Sequence, residues 1–320
     1  MTKKIDTTRL IRSQGPLVTL LVMCAVAACW FPEFRTYDNM ANIFKQVSMT
    51  GLISIGMTFV ILSGGIDLSV GSIAAVASVI AARLSGGVGL FAVLVPIIAG
   101  ITIGAANGVL ITRAKIPPFI ATLSMMLGAR GLAFIMADKG GAPVGADKTA
   151  WLSQISKADL LGVPWPAIIF VLALVVAILV ARYTPFGRSV YAIGGNEEAA
   201  VMMGLNVSRN KMLVYMICGG LAGVAGLLLT SRVNSGQPTA AAGWELIAIA
   251  AVVIGGTALT GGVGKMSHTL YGVLILGIIR NVINLYGKLD YWYIDLITGI
   301  LLLAVVLLQT RIAGKQAVKP

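Results

Sequence analysis

Ten apolar runs, each close to the roughly 20 residues that a helix needs to cross a bilayer, succeed one another from residue 15 to residue 309. They cover residues 15–31, 47–63, 68–84, 88–111, 118–137, 163–181, 212–230, 244–260, 269–286 and 293–309. In hydrocarbon the backbone must satisfy its own hydrogen bonds, and a continuous apolar run does so as a helix. The expected fold class is an all-α polytopic membrane protein of about ten transmembrane helices, with short broken or re-entrant segments and both termini cytoplasmic. A single domain is expected over residues 1–320: a cytoplasmic N-terminus at 1–14, a helical bundle at 15–309 and a basic cytoplasmic tail at 310–320. Only 11% of the residues are charged, against roughly a quarter in a soluble domain.

The formal net charge of +12 does not point to nucleic acid, because basic residues between apolar spans set topology. With the N-terminus inside, the inside segments hold Lys3, Lys4, Arg9, Arg12, Arg113, Lys115, Arg182, Arg188, Arg209, Lys211, Lys265, Arg311, Lys315 and Lys319. The outside loops hold fewer: Arg35, Lys45, Arg83, Lys139, Lys148, Lys157, Arg232 and Lys288. Trp30, Trp151, Trp165, Trp244 and Trp292 then fall in or beside outside loops, where indole favours the interface. The basic N-terminus before residues 16–31 has the form of a secretory signal, and "VAAC" at 26–29 that of a lipoprotein box. The rest of the chain is equally apolar, so an uncleaved first span is expected.

Small residues recur on two spans. Gly100, Gly104 and Gly108 repeat every four positions, and Gly219, Gly223 and Gly226 form a similar patch. In lipid such stripes let backbones approach closely, and intramolecular packing is the expectation here. Cys24, Cys29 and Cys218 lack zinc-site spacing, and the single histidine, His268, makes no metal cluster. Neither a metal nor a cofactor is expected, and no short-period repeat stands out.

Two polar stretches interrupt this pattern. In "IGGNEEAAVMMGLNVSRNK", residues 193–211, Asn196 suits a helix N-cap, Glu197 and Glu198 suit the positive helix end, and Gly204 suits a left-handed stop. About two turns of helix are expected, with Ser208 capping the next span. So short a helix needs packing support, and its apolar residues Val201, Met202 and Met203 suit a groove on another protein. The residues alone fit a docking element and a solvated connector equally well. In "LSGGIDLSVGS", residues 62–72, Gly64 and Gly65 break an apolar run and Asp67 stands among hydroxyls. Asp67 could cap the third span or mark a broken helix of the kind that lines transport sites.

Further intramembrane charges are Arg130, Glu245, Arg280 and Asp295. Pairing of Arg280 with Asp295 or Glu245 would neutralise both partners, and a structural role is expected for Arg130. "TGGVGKMSH" at 260–268 fails as a phosphate loop, because Leu259 replaces the first Gly and Met266 follows the Lys. The sequon "NVS" at 206–208 faces the cytoplasm in this topology. A membrane-embedded enzyme finds no Ser/His/Asp set. An ion-coupled secondary transporter of a small polar solute stays open as the alternative, with Asp67, Glu245 and Asp295 as its candidate acids.

Four blocks in order, "VILSGGIDLSVGS", "KIPPFIATL", "FGRSVYAIGGNEEAAVMMGLNV" and "AIAAVVIGGTALTGGVG", resemble the permease subunit of bacterial ABC sugar importers of the ribose type. Branched-chain amino acid permeases resemble it more distantly. The resemblance implies a non-enzymatic subunit of the inner membrane that pairs with a second permease copy, identical or not, an ABC ATPase subunit and a periplasmic sugar-binding protein. It implies that Gly194, Gly195, Asn196, Glu197, Glu198, Ala199, Ala200, Met202 and Gly204 lie in the cytoplasmic loop 188–210 that docks on the ATPase. The implied substrate is a monosaccharide such as ribose, arabinose, xylose, galactose or rhamnose, or the autoinducer-2 signal. A neutral sugar needs hydroxyl and amide contacts, for which Asp67, Ser69, Asn107, Thr122 and Asn281 are the candidates.

Overall fold

The computed structural model describes residues 7–317 apart from residues 88, 139, 140, 142, 148–153, 157 and 288–291. Lys3, Lys4, Lys139, Lys148, Trp151, Lys157, Lys288 and Lys319 lie outside the described residues. The helices are α1 (Thr7–Trp30), α2 (Tyr37–Leu62), α3 (Val70–Leu84), α4 (Phe91–Thr112), α5 (Pro118–Met136) and α6 (Trp165–Tyr183). Then come α7 (Pro185–Gly195), α8 (Glu197–Met202), α9 (Val207–Val233), α10 (Trp244–Ile254), α11 (Thr269–Tyr286) and α12 (Trp292–Ala317).

Six helical segments among the described residues are long and apolar enough to cross a membrane, and four shorter apolar helices accompany them. The chain is thus a polytopic all-α membrane protein. α3 and α10, with 15 and 11 residues, rise only about 22 and 16 Å at 1.5 Å per residue. The spans expected at 68–84 and 244–260 are therefore partial helices. α2 begins ten residues before its apolar run, because local capping fixes its start: the Thr36 hydroxyl accepts from the Asn39 N–H at 3.4 Å, and Asp38 sits in the first turn.

The two glycine stripes face each other. A Cβ on Gly100 would strike the Gly219 carbonyl and one on Gly219 the Gly100 carbonyl, while one on Gly104 would strike the Tyr215 carbonyl. α4 and α9 therefore touch backbone to backbone, and Gly226 extends the contact to Ala74 of α3. The apolar segment of α2 is 83% buried and that of α5 only 22%, so α2 lies at the centre and α5 at the rim.

At one end of the bundle, strands β1 (Val144–Gly145) and β4 (Ser235–Gly236) pair antiparallel, Val144 opposite Gly236. A hairpin of β2 (Asp159–Leu160) and β3 (Val163–Pro164) receives a hydrogen bond at 2.6 Å from the Tyr37 hydroxyl to the Gly162 carbonyl. The other end gathers residues 62–65, 191–195 and 261–264.

Candidate functional site

The polar stretch at 193–211 folds as two capped helices in series. Thr184 accepts from the Gly187 N–H at 3.1 Å and opens α7, an amphipathic helix that the hydropathy pattern did not announce. Asn196 then accepts from the Ala199 N–H at 2.9 Å and opens α8 with Glu197 and Glu198 in its first turn. Gly204, at φ 79°, stops it. The next cap is Asn206, which accepts from the Arg209 N–H at 2.9 Å; Ser208, expected in that role, lies inside α9.

Six residues of helix hold their place because Ala200 packs with Ile193 and Val207 in a small buried cluster. Lys211 adds an ion pair to Glu197 at 2.6 Å. The opposite face points outward, with Met202 87% and Met203 68% exposed. Glu198 and Gly195 are exposed beside them.

Behind this helix three glycine segments meet. The Gly262 N–H donates to the Leu62 carbonyl at 3.0 Å. A Cβ on Gly194 would collide with that same carbonyl and lie 2.6 Å from the Gly262 nitrogen. Gly261 abuts Gly64. The segment leading into α8 is thus wedged between the end of α2 and the loop after α10. Both of those breaks carry the pattern Gly-Gly-x-x-Leu-Ser/Thr, at 64–69 and at 255–260.

The first break holds a buried polar cluster. Asp67 Oδ1 accepts from the Ser69 N–H at 2.9 Å and the Ser69 hydroxyl at 2.6 Å, and Asn107 Nδ2 donates to Ser69 Oγ at 2.8 Å. The Thr122 hydroxyl donates to the Pro118 carbonyl at 2.8 Å. Asp67, Ser69, Asn107 and Thr122 are all fully buried. Asp67 ties down the loop before α3 and makes no cap bond to that helix, whose N-cap position is Ser69. Asn281 lies elsewhere: its amide exchanges hydrogen bonds with Asn39 at 2.6 and 3.2 Å, joining α11 to α2.

Arg130 reaches from α5 to donate to the Pro238 and Ala240 carbonyls, each at 2.7 Å. These belong to a non-helical, turn-rich segment, 234–243, that would otherwise carry unsatisfied backbone among helices. Glu245 accepts from the Gly243 N–H at 3.2 Å in the same segment and is the acid within electrostatic reach of Arg130. Among the described residues Arg280 pairs with neither Glu245 nor Asp295, and Asp295 is exposed on α12.

Arg280 instead lines a narrow cleft between α2, α10, α11 and α12, together with Gln46, Thr50, Ser54 and Thr298. Only about 20 Å³ of it is open to the centre of a water molecule, about one such position. Thr50 and Ser54 donate to the Val47 and Thr50 carbonyls of their own helix at 3.2 and 2.8 Å, which leaves their oxygens free to accept. Reasoning from sequence missed this stripe, although Gln46, Thr50, Ser54 and Thr58 recur every four residues. Counting hydropathy alone treats Ser and Thr as neutral.

Residues 39–306 match the family described as "Branched-chain amino acid transport system / permease component". The chain belongs to this family. It is 42% identical to the ribose import permease protein RbsC of Bacillus subtilis (strain 168), over 97% of this chain and 96% of the relative. It is 37% identical to the L-arabinose transport system permease protein AraH of Escherichia coli (strain K12), over 92% of this chain and 89% of the relative. It is 39% identical to the inner membrane ABC transporter permease protein YjfF of the same strain, over 87% and 86%. No solved structure matches. The permease thus falls among the ribose-type members, and these relatives lend no support to an ion-coupled carrier.

Proposed function

We propose that this permease forms the translocation pathway for a monosaccharide in an ABC importer, with α8 as the docking element for a separate ATPase. The relatives named for ribose and arabinose support a sugar substrate. The observation that carries the coupling role is the wedge at Gly194. An exposed apolar helix face is joined, with no intervening slack, to the Leu62 carbonyl and the Gly262 N–H. A push on α8 therefore displaces the ends of α2 and α10 together. Those are the helices that wall the cleft at Thr50, Ser54 and Ile247.

The end that carries α8 faces the cytoplasm in this reading, and the paired-strand end faces the periplasmic binding protein. A second permease copy completes the pathway. The cleft as it stands is too narrow for a sugar, so this is a closed arrangement that ATPase movement opens. Gln46, Thr50, Ser54, Arg280 and Thr298 supply donors and acceptors for a neutral polyol, while Asp67, Ser69, Asn107 and Thr122 brace the break that must move as a unit. ATP depletion with the ion gradient held constant abolishes uptake by the complete transporter. Uptake that survives depletion would overturn this proposal in favour of ion coupling.

A further inference from the structure

A second cleft, bounded by α6, α7 and the 264–268 segment, carries charge that transport does not use. It encloses about 670 Å³, far more than the narrow cleft at Arg280. Arg182, Arg188, Lys265 and His268 line it, and no acidic side chain does. Among the described residues, none of these four takes part in an ion pair. The Arg182 guanidinium lies 5.3 Å from the centroid of the Tyr183 ring. The like charges of Arg182, Arg188 and Lys265 repel in one cleft, and an anion relieves the repulsion.

Beside Tyr191 and Ser267, the rest of the wall is apolar, through Ile178, Ala181 and Met266. It continues onto the outer face of α6, where Val175, Val176 and Leu179 are exposed. An occupant complementary to both parts is anionic at one end and hydrocarbon at the other. We propose that this cleft binds the phosphate of an anionic phospholipid, with Arg182 and Lys265 as the principal cations. Assignment to the cytoplasmic leaflet rests on the orientation proposed above; the binding itself does not. Tyr191 donates to the Gly264 carbonyl at 3.2 Å, so a lipid here braces the same loop that meets Leu62.

The test uses the full-length permease, purified without the ATPase, so that failure of lipid binding is separate from failure of coupling. Native mass spectrometry measures retention of phosphatidylglycerol and phosphatidylcholine after incubation with equimolar mixed micelles. The wild type retains phosphatidylglycerol preferentially, and the double variant Arg182→Gln/Lys265→Gln loses about thirtyfold of that preference, as expected for two basic groups at a membrane surface. Arg182→Lys/Lys265→Arg restores it, and Arg113→Gln, beyond the end of α4, leaves it intact. Equal retention of both lipids, or a double variant that folds and retains phosphatidylglycerol undiminished, overturns the proposal. So does full displacement of the lipid by millimolar inorganic phosphate, which would mark a free-anion site. Loss of ATPase co-purification in the double variant with lipid retention unchanged would assign the cleft to the ATPase instead.

Discussion

Arg130 holds two carbonyls that no helix or strand satisfies, and it is a cation within electrostatic reach of Glu245. Arg130→Met therefore strands both carbonyls and a partly buried carboxylate. The expected loss is about 2–4 kcal/mol, read as a lower melting temperature in detergent, while Arg130→Lys recovers part of it. An unchanged melting temperature would mean that the 234–243 segment is held by other contacts. Asp67 and Arg130 stand out in the sequence as charges inside apolar runs, and that cost is legible without a structure. Their partners are not: Ser69 is two residues from Asp67, but Pro238 lies 108 residues from Arg130. The expected Arg280 pairs fail for the same reason, since a position in the sequence says nothing of which helix a given face meets. Glu198 belongs to the opposite case, an exposed charge whose expected role is intermolecular. Glu198→Arg should leave the melting temperature within error of wild type and weaken ATPase co-purification. Unchanged co-purification would count against α8 as the docking element.

At the scale of elements, glycine stripes proved the most informative signal in the sequence. The spacing of Gly100, Gly104 and Gly108 marked a packed face, and the structure shows its partner to be the stripe on α9. Gly128 and Gly131 on α5 are the same residue type, yet a Cβ at either would have nothing within 4 Å of it. Gly100→Ala should thus separate α4 from α9 and destabilise the bundle, whereas Gly128→Ala should be neutral or stabilise α5 by up to about 1 kcal/mol through helix propensity. Equal melting temperatures for the two variants would show that close approach of α4 and α9 is dispensable. Hydropathy was a poorer guide to boundaries. It started α2 ten residues late, because Thr36 and Asp38 fix the helix N-terminus and neither is apolar. It also passed over α7, in which exposed Arg188 and half-buried Ser189 and Tyr191 break the apolar run. The two Gly-Gly-x-x-Leu-Ser/Thr breaks are 191 residues apart, 64 against 255, too far for a short-period search to register.

For the whole molecule, the proposed mechanism makes docking and transmission separable events assigned to different residues. The proposed docking element is the exposed face of α8, where Met202 and Met203 offer a soft apolar surface able to settle in a groove. The proposed transmission element is the wedge, where a Cβ on Gly194 would meet backbone atoms of two other segments and no flexible side chain can yield. A Cβ at that position must push the Leu62 carbonyl away from the Gly262 N–H, loosening a hydrogen bond that ties the two breaks together. Gly194→Ala should therefore keep the ATPase bound at the wild-type level while sugar uptake falls by roughly tenfold, the equivalent of about 1.4 kcal/mol in the step that opens the cleft. Parallel measurement of co-purification and uptake in Gly194→Ala and Glu198→Arg distinguishes the two roles. If Gly194→Ala transported normally, motion would have to reach the cleft through α9, which follows α8 directly in the chain, and the contact at Leu62 would be packing alone.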